Sequence, residues 1–576
     1  MKYLKFFSTV FLFAFSFFWF FYPGEYVLIA NQDNNLFITS LGYLTSYLDR
    51  PGGILEYISV FLNQFFRFRF IGAIIISGIV IIGYYAVFYL CRKISDNKYC
   101  YLPGIITAIW FIGMHNYYSH QLYHSLGYIV AIIALLFIPE GKKARIMFLL
   151  FCIPVLYYII GGYLWVFCFF ILVESYSREV KFHADFTAFL VVYPLLIIII
   201  AAKFVFLYPV KELFIHPFQY ETNLFHIIFV SWIIFLPLII KKIFWLKHTK
   251  LPKGIMQFSL LLTGAFLIII FSYNKRAVDF FRIEKLVIQE DWDELLGFMK
   301  QKPSTSLIGN FYTNIALANR GLLTSDLFAY PQPFGRQGLF LGWLMRDDIL
   351  EESSDFFWTI NYVNEAHHFA FESFIVNGFT RRNILRLIQT ELIRGNYKVA
   401  EKYINVLDKT LFDKGKAGHY RKFLNNPDII KNDAELGPRM NISFSSDFFL
   451  QPDLEDNLGL LLENEPFNRP AYDYLLALYL IEKRVDKITE YLPGYLDLTD
   501  GNIPPLLEES LVYHRFIHGN IILDTIKISQ RTNLRFQNFI RINDQFTDPA
   551  KAARALYPSY KNTLWYHINF NLVTEN

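Results

Sequence analysis

Long apolar runs separated by short polar segments fill the first half of the chain and stop near Phe271. Because a helix needs about 20 apolar residues to cross a bilayer, the pattern predicts about nine membrane-spanning helices, several of them close to the lower limit of length. Prolines and a glycine pair interrupt three of these runs, at Pro103, Pro154 and Gly161-Gly162. The predicted spans cover residues 6–22, 70–90, 101–114, 123–138, 146–159, 162–174, 186–207, 224–240 and 255–272.

The segment between the first two runs, residues 23–69, is too polar to span a bilayer, and it is predicted to contain two helices. Apolar residues recur at helical spacing from Leu36 to Leu48 and again from Ile54 to Phe66. The breaker Pro51-Gly52-Gly53 separates the two stretches. Helices of this kind lie along a membrane surface with their apolar faces down.

Asp33 lies in this segment among the amides of Asn31, Gln32, Asn34 and Asn35. In one interpretation its carboxylate is a catalytic base that takes a proton from an acceptor hydroxyl, and it could also help to bind a divalent cation. In the other interpretation it caps the helix that begins near Leu36, although Asn34 fits that role better. The sequence leaves both interpretations open.

The second half of the chain, residues 273–576, has the composition of a soluble domain and shows helix pairs without strand alternation. A helix from Arg382 to Arg394 ends at Gly395, and the next begins at once with the small residue Ala400 on its packing face. This short turn is typical of a tetratricopeptide-like pair. The predicted fold class is therefore all-α, with a polytopic membrane bundle over residues 1–272 and a helical repeat-like domain over residues 273–576.

Composition narrows the function classes. The chain has 576 residues, of which 54% are hydrophobic, and a net charge of only +4, so nothing favours a nucleic-acid partner. Its four cysteines all lie in or beside the apolar half, which excludes a disulfide framework in the second half. Lysine and arginine concentrate in alternate loops, which predicts a cytoplasmic N-terminus. The segment 23–69 and the second half then lie on the outer, periplasmic side of a bacterial inner membrane.

A polar loop between the third and fourth predicted spans contains His115, Asn116, His120 and His124. His120 and His124 are four residues apart and share one helix face. They could line a pocket for a polar substrate, or they could form a polar helix end at the membrane interface. A metal site needs a third converging ligand, which the spacing does not provide, so no metal site is assigned.

Basic residues also occur at outer boundaries, against the charge bias. Lys211 and His216 follow the seventh predicted span, and Lys275-Arg276 follow the last one. Such side chains could bind the phosphate of a lipid carrier, for which arginine offers paired hydrogen bonds. They could equally reach outward to lipid headgroups.

The layout of Met1 to about Phe281, together with the motif Asn31-Gln32-Asp33-Asn34, resembles the GT-C class of integral-membrane glycosyltransferases. The chain also looks like bacterial polytopic membrane proteins with helical-repeat tails. The GT-C resemblance implies transfer of a sugar from a polyprenyl-phosphate donor to a glycan or protein acceptor, with Asp33 at the position of the catalytic acidic residue. It further implies that the His115–His124 loop and Lys275-Arg276 form the acceptor and lipid-phosphate surfaces. The class usually has a pair of acidic residues, where this chain has a single aspartate flanked by amides.

Two hypotheses from different classes follow. The first is a glycosyltransferase that uses Asp33 as its base. The second is a membrane-anchored scaffold without enzymatic activity, whose helical repeats bind partners in the periplasm. A transporter is a weaker third hypothesis, because the chain lacks a clear internal repeat. Segment 23–69 distinguishes the hypotheses, since only a transferase needs an acidic residue above two interfacial helices.

Overall fold

The computed structural model describes residues 2–32, 35–95, 99–177, 184–206, 208–218, 224–243, 253–342, 349–440, 453–519 and 526–570. The chain is 79% helical, and the described ranges contain no β-strand, which confirms the all-α class. The chain divides into two compact units. Unit 1 comprises Met1–Phe281 with Lys409–Phe412, and unit 2 comprises Arg282–Asp408 with Asp413–Asn576.

Among the described residues, fifteen α-helices begin before residue 276, and they are numbered in chain order. Two 3-10 turns, Gln64–Arg67 and Gly161–Tyr163, interrupt the series. The helices are α1 (Lys2–Phe21), α2 (Glu25–Gln32), α3 (Leu41–Leu48), α4 (Gly53–Asn63), α5 (Arg69–Ile94), α6 (Tyr101–His115), α7 (Leu122–Leu136), α8 (Lys142–Ile160), α9 (Leu164–Ser177), α10 (Ala184–Phe204), α11 (Val210–Leu213), α12 (Leu224–Ile234), α13 (Leu236–Ile243), α14 (Lys253–Ser272) and α15 (Lys275–Ile288).

The prediction of about nine spans is wrong. Within the described ranges, four helical segments are long and apolar enough to cross a membrane, or five if the bent pair of α1 and α2 counts as one. The predicted spans 101–114 and 123–138 correspond to helices of 15 residues each, and 224–240 is divided between α12, with 11 residues, and α13, with 8; all four helices are too short. The four segments are Arg69–Ile94, Lys142–Ser177, Asp185–Phe204 and Gly254–Ser272.

Helix α5 forms the centre of unit 1, where it packs against α1, α6 and α7. Its buried positions include Ala73, Ile76, Val80, Tyr84 and Val87, whose spacing of three and four residues turns one continuous face inward. The apolar interior that results surrounds the ends of α6 and α7. Polar side chains at those ends therefore lie away from water.

The segment between α1 and α5 contains three helices instead of the two predicted. Helix α1 turns by 66° into α2, which the spacing of apolar residues did not predict. The helix predicted from Leu36 begins only at Leu41, because the Ser40 side chain caps it by accepting a hydrogen bond from the Tyr43 N–H at 3.2 Å. The second predicted helix is α4, followed by a 3-10 turn.

Unit 2 consists of consecutive helices that pack on their chain neighbours, such as Leu350–Thr359 on Val363–Asn377 and Arg381–Ile393 on Tyr397–Asp408. The helix predicted to end at Gly395 does so, because Arg381–Ile393 precedes this glycine, whose φ angle is 73°. The helices are α16 (Trp292–Gln301), α17 (Leu307–Asn319), α18 (Leu323–Asp326), α19 (Leu350–Thr359), α20 (Val363–Asn377), α21 (Arg381–Ile393), α22 (Tyr397–Asp408), α23 (Lys414–Arg421), α24 (Pro427–Lys431), α25 (Leu436–Met440), α26 (Leu454–Asn464), α27 (Arg469–Ile481), α28 (Val485–Asp497), α29 (Pro505–His518), α30 (Gln530–Asn543), α31 (Pro549–Tyr560) and α32 (Leu564–Phe570).

Candidate functional site

Four histidines come together in the interior of unit 1. His115 is the last residue of α6, His120 lies in the following loop, His124 is in the first turn of α7, and His226 comes from α12. Ring centroids are 4.7 Å apart for His115 and His120, 5.1 Å for His120 and His226, and 4.7 Å for His124 and His226. The sequence predicted the first three as site residues, and His226 was missed.

Hydroxyl groups connect the ring nitrogens of this histidine cluster. Ser125 Oγ lies 3.1 Å from His115 Nε2 and 3.0 Å from His120 Nε2. Two tyrosine hydroxyls complete the network, since Tyr128 bonds His226 Nδ1 at 2.9 Å and Tyr163 bonds His124 Nδ1 at 2.5 Å. His120 Nδ1 also lies 3.3 Å from His226 Nε2, so hydroxyl groups and a direct contact between two rings link the four histidines into one network.

The cluster is buried and uncharged. His115, His120 and His124 are at most 3% exposed, so they do not form a water-facing helix end. Burial lowers the pKa of His120 well below its usual range, and the neighbouring histidines lower it further. Because the usual histidine pKa is about 6.5, His120 is neutral at pH 7. The histidine cluster therefore offers hydrogen bonds and no positive charge.

Two buried polar atoms beside the cluster have no hydrogen-bond partner among the described residues: His124 Nε2 and Asn31 Oδ1. Buried polar groups in proteins are nearly always satisfied. A ligand with hydroxyl or amide groups would supply the missing bonds. Asn31 belongs to α2, and its amide nitrogen donates to the Tyr118 carbonyl at 3.1 Å, so the end of α2 lies against the loop that carries His120.

Asn116 fastens the same loop to α1 and α2. Its side-chain oxygen accepts a hydrogen bond from Trp19 Nε1 at 2.6 Å, and its backbone carbonyl accepts one from the Tyr26 hydroxyl at 2.6 Å. Asn116 thus has a structural part in the described contacts. Asp33, the predicted catalytic residue, lies outside the described residues, as does Asn34.

A second polar group forms around His216. Its Nδ1 lies 2.9 Å from the Pro51 carbonyl, which can only accept, so this nitrogen carries the hydrogen. Its Nε2 lies 3.3 Å from Glu56, and the other oxygen of Glu56 lies 2.5 Å from Arg50. Pro51, Glu56 and Arg50 all belong to segment 23–69. The structure thus brings that segment to a predicted site residue through a carboxylate and a guanidinium that the sequence did not single out.

The backbone break at Gly161–Tyr163 joins the two polar groups. The Gly162 N–H donates to the His216 carbonyl at 2.7 Å, and the next residue, Tyr163, bonds His124. Phe218 fills the space between, with its ring centroid 4.6 Å from Tyr163 and 6.1 Å from His124. The histidine cluster and the Arg50–Glu56–His216 group are therefore parts of one site within unit 1.

The remaining predicted residues lie elsewhere. Lys211 is exposed on α11, and Lys275 and Arg276 are exposed in the first turn of α15. Within the described ranges, no hydrogen bond or ion pair joins these three side chains to the histidines.

A family model described as "Family of unknown function (DUF6057)" matches residues 2–571. No curated protein and no solved structure matches the chain.

Proposed function

The chain belongs to the DUF6057 family, a family of unknown function, and we propose that it is a membrane glycosyltransferase. In this proposal it moves a sugar from a polyprenyl-phosphate-linked donor to a glycan or protein acceptor at the outer face of a bacterial inner membrane. Unit 1 carries the reaction and inserts in the lipid bilayer. Unit 2, acting as a helical-repeat surface, holds the acceptor.

One observation supports the proposal more than any other. The polar segment 23–69 meets the buried histidines: Glu56 lies 3.3 Å from His216, and the Gly162 N–H bonds the His216 carbonyl beside Tyr163. Carboxylate, guanidinium and neutral imidazoles are the groups that a transferase needs to position a sugar phosphate and an acceptor hydroxyl. A scaffold has no use for a buried site with two unsatisfied polar atoms.

In this proposal the role of Asp33 comes from the GT-C resemblance, and the other roles come from the charge and burial of the described residues. Asp33 takes the proton of the acceptor hydroxyl while that oxygen bonds to the anomeric carbon. The bond from the anomeric carbon to the phosphate oxygen breaks, and polyprenyl phosphate leaves with the electron pair. His115, His120 and His124, with Asn116 holding their loop, bind sugar hydroxyls. His216 and Glu56 orient Arg50, and the exposed Lys211, Lys275 and Arg276 attract the donor phosphate from the surface. A divalent cation could assist Asp33.

The periplasmic location proposed for unit 2 depends on the last candidate span alone. A strongly basic stretch, with Lys241, Lys242, Lys247, Lys250 and Lys253, precedes the last candidate span. The positive-inside bias assigns that stretch to the cytoplasm, so the span delivers unit 2 to the periplasm. This step is independent of how many helices cross the membrane before it.

The test compares surface-glycan and glycoprotein profiles of a deletion strain with strains that carry Asp33→Asn or Glu56→Gln at normal protein levels. Both variants are expected to reproduce the glycan change of the deletion. Asp49→Asn is the matched control, because Asp49 is an exposed carboxylate next to Arg50 and should leave the profile unchanged. The proposal fails if the deletion leaves every glycan intact or if Asp33→Asn behaves as wild type.

A scaffold remains the second candidate, favoured by the packing of each unit 2 helix on its chain neighbours. Arrays of this kind commonly present binding surfaces. It predicts that deletion alters the assembly of an envelope complex without any change in glycans. Crosslinking in cells through unit 2, followed by identification of the partner, would then be decisive.

A further inference from the structure

Two histidines and an aspartate meet where α28 begins and α29 ends in unit 2. His514 and His518 are four residues apart in the last turns of α29, so they share one face of that helix. Asp486 is the second residue of α28. His514 is buried, His518 is half exposed and Asp486 is exposed, so the group opens to solvent on one side.

The distances among their ligand atoms suit a metal ion. Asp486 Oδ1 lies 3.3 Å from His514 Nε2 and 3.1 Å from His518 Nε2, and the three ligand atoms lie within 4.8 Å of one another. In a tetrahedral zinc site with bonds of about 2.0–2.1 Å, neighbouring ligand atoms lie about 3.3 Å apart. Both distances from Asp486 to the imidazole nitrogens already match that spacing.

From this geometry we propose that Asp486, His514 and His518 bind one Zn²⁺ ion. Two imidazoles and a carboxylate are ligands that zinc accepts, and the group contains no thiolate that would select a softer ion. The alternative is that each imidazole donates a hydrogen bond to the same carboxylate oxygen and no metal binds.

A bound ion would have two consequences. It would tie the first turn of α28 to the last turn of α29, and so fix the connection between the two helices. Three protein ligands also leave one coordination position for water or another small molecule, on the side where Asp486 and His518 face solvent. This site is separate from the histidine cluster of unit 1 and does not depend on the transferase proposal.

The test titrates Zn²⁺ into the full-length protein, purified in detergent and stripped of metal, in competition with a chromophoric chelator. His518→Ala and Asp486→Asn are each expected to lose one equivalent of bound zinc, or to bind it at least about 10-fold more weakly. Zinc should also raise the melting temperature of the wild type more than that of either variant. His514→Ala is a third variant. Because the His514 side chain is buried, this variant could misfold, and in that case the variants at His518 and Asp486 decide the test.

His368→Ala is the matched control. His368 also pairs with carboxylates of its own unit, at 3.0 Å from Glu365 and 3.8 Å from Glu372, but without a second histidine in the group. The His368→Ala variant should bind the same amount of zinc as the wild type, with the same affinity. Any zinc held by the histidines of unit 1 is common to all these proteins and cancels in the comparison. The proposal is overturned if His518→Ala and Asp486→Asn bind the same amount of zinc with the same affinity as the wild type.

Discussion

Replacing Gly161 with alanine is expected to destabilise unit 1 and to disturb the site. Gly161 has φ 57° and ψ −130°, a conformation that residues with a side chain adopt at a cost of about 1–3 kcal/mol. An added Cβ would lie 2.4 Å from the His216 carbonyl oxygen and 3.1 Å from that of Pro51. Both are backbone atoms, which cannot rotate away, so relieving the overlap adds about 1–3 kcal/mol. The total loss is about 2–6 kcal/mol.

The structural consequence follows from which atoms must move. The His216 carbonyl accepts the Gly162 N–H, and His216 Nδ1 bonds Pro51, so displacing either backbone separates segment 23–69 from the tyrosine that holds His124. The proposed glycan transfer should therefore fall together with stability. Thermal unfolding of the detergent-purified protein, followed by tryptophan fluorescence, measures the first effect, and the glycan profile measures the second.

Gly113→Ala is the matched control, because Gly113 lies within α6 of the same unit and an added Cβ there meets nothing within 4 Å. Alanine in a helix is favoured over glycine by about 0.8–1.0 kcal/mol, so this variant should melt at or above the wild-type temperature. The two substitutions add the same methyl group and are expected to change stability in opposite directions. If Gly161→Ala also melts at or above the wild-type temperature, the described geometry of the break is wrong.

Two further predictions concern unit 2. Burial raises the pKa of Glu509 from 4.5 to about 7. Between these two values the folded protein holds a proton that the unfolded chain has released. The free energy of unfolding should therefore fall by about 3 kcal/mol as the pH rises from 4.5 to 7. Glu509→Gln keeps an acceptor for the Leu564 N–H and should flatten that dependence in urea unfolding measured across pH. Arg382→Ala removes the guanidinium that lies 3.4 Å from Glu351 and 3.8 Å from Glu352, and it should cost about 3–5 kcal/mol in the same assay at pH 7. A decrease in unfolding free energy below about 1 kcal/mol would contradict these ion pairs of Arg382.

The histidine cluster was predictable in part. His115, His120 and His124 lie close together in sequence, and their helical spacing already places two of them on one face. His226 is separated from them by about a hundred residues, and only the packing of α12 reveals the contact. A signal was nevertheless present, since a lone histidine within an apolar helix indicates a polar interior site. His226 was missed because the predicted site residues were taken from the loops alone.

Segment 23–69 shows a different limit. Its helical periodicity correctly indicated α3 and α4, but the position of the first turn was set by one hydroxyl, that of Ser40, and not by the apolar pattern. Glu56 was overlooked because a charged residue on an amphipathic helix is normally solvated, and Arg50 lies in the turn just before that helix. Only the fold shows that Glu56 faces His216, which is far away in sequence.

Part of the error in counting spans arises at the same backbone break that forms the site. The count treated residues 146–159 and 162–174 as two complete spans because Gly161-Gly162 interrupts the apolar run. In the structure they are halves of one candidate segment, Lys142–Ser177, and the interruption is the place where backbone N–H groups are released from helical bonding. The Gly162 N–H uses that release to bind the His216 carbonyl, and Tyr163 reaches His124. Irregular backbone between apolar helices persists only where other groups satisfy it. A glycine pair inside an apolar run therefore indicates a site at least as strongly as it indicates the end of a span, and Gly161→Ala tests that inference directly.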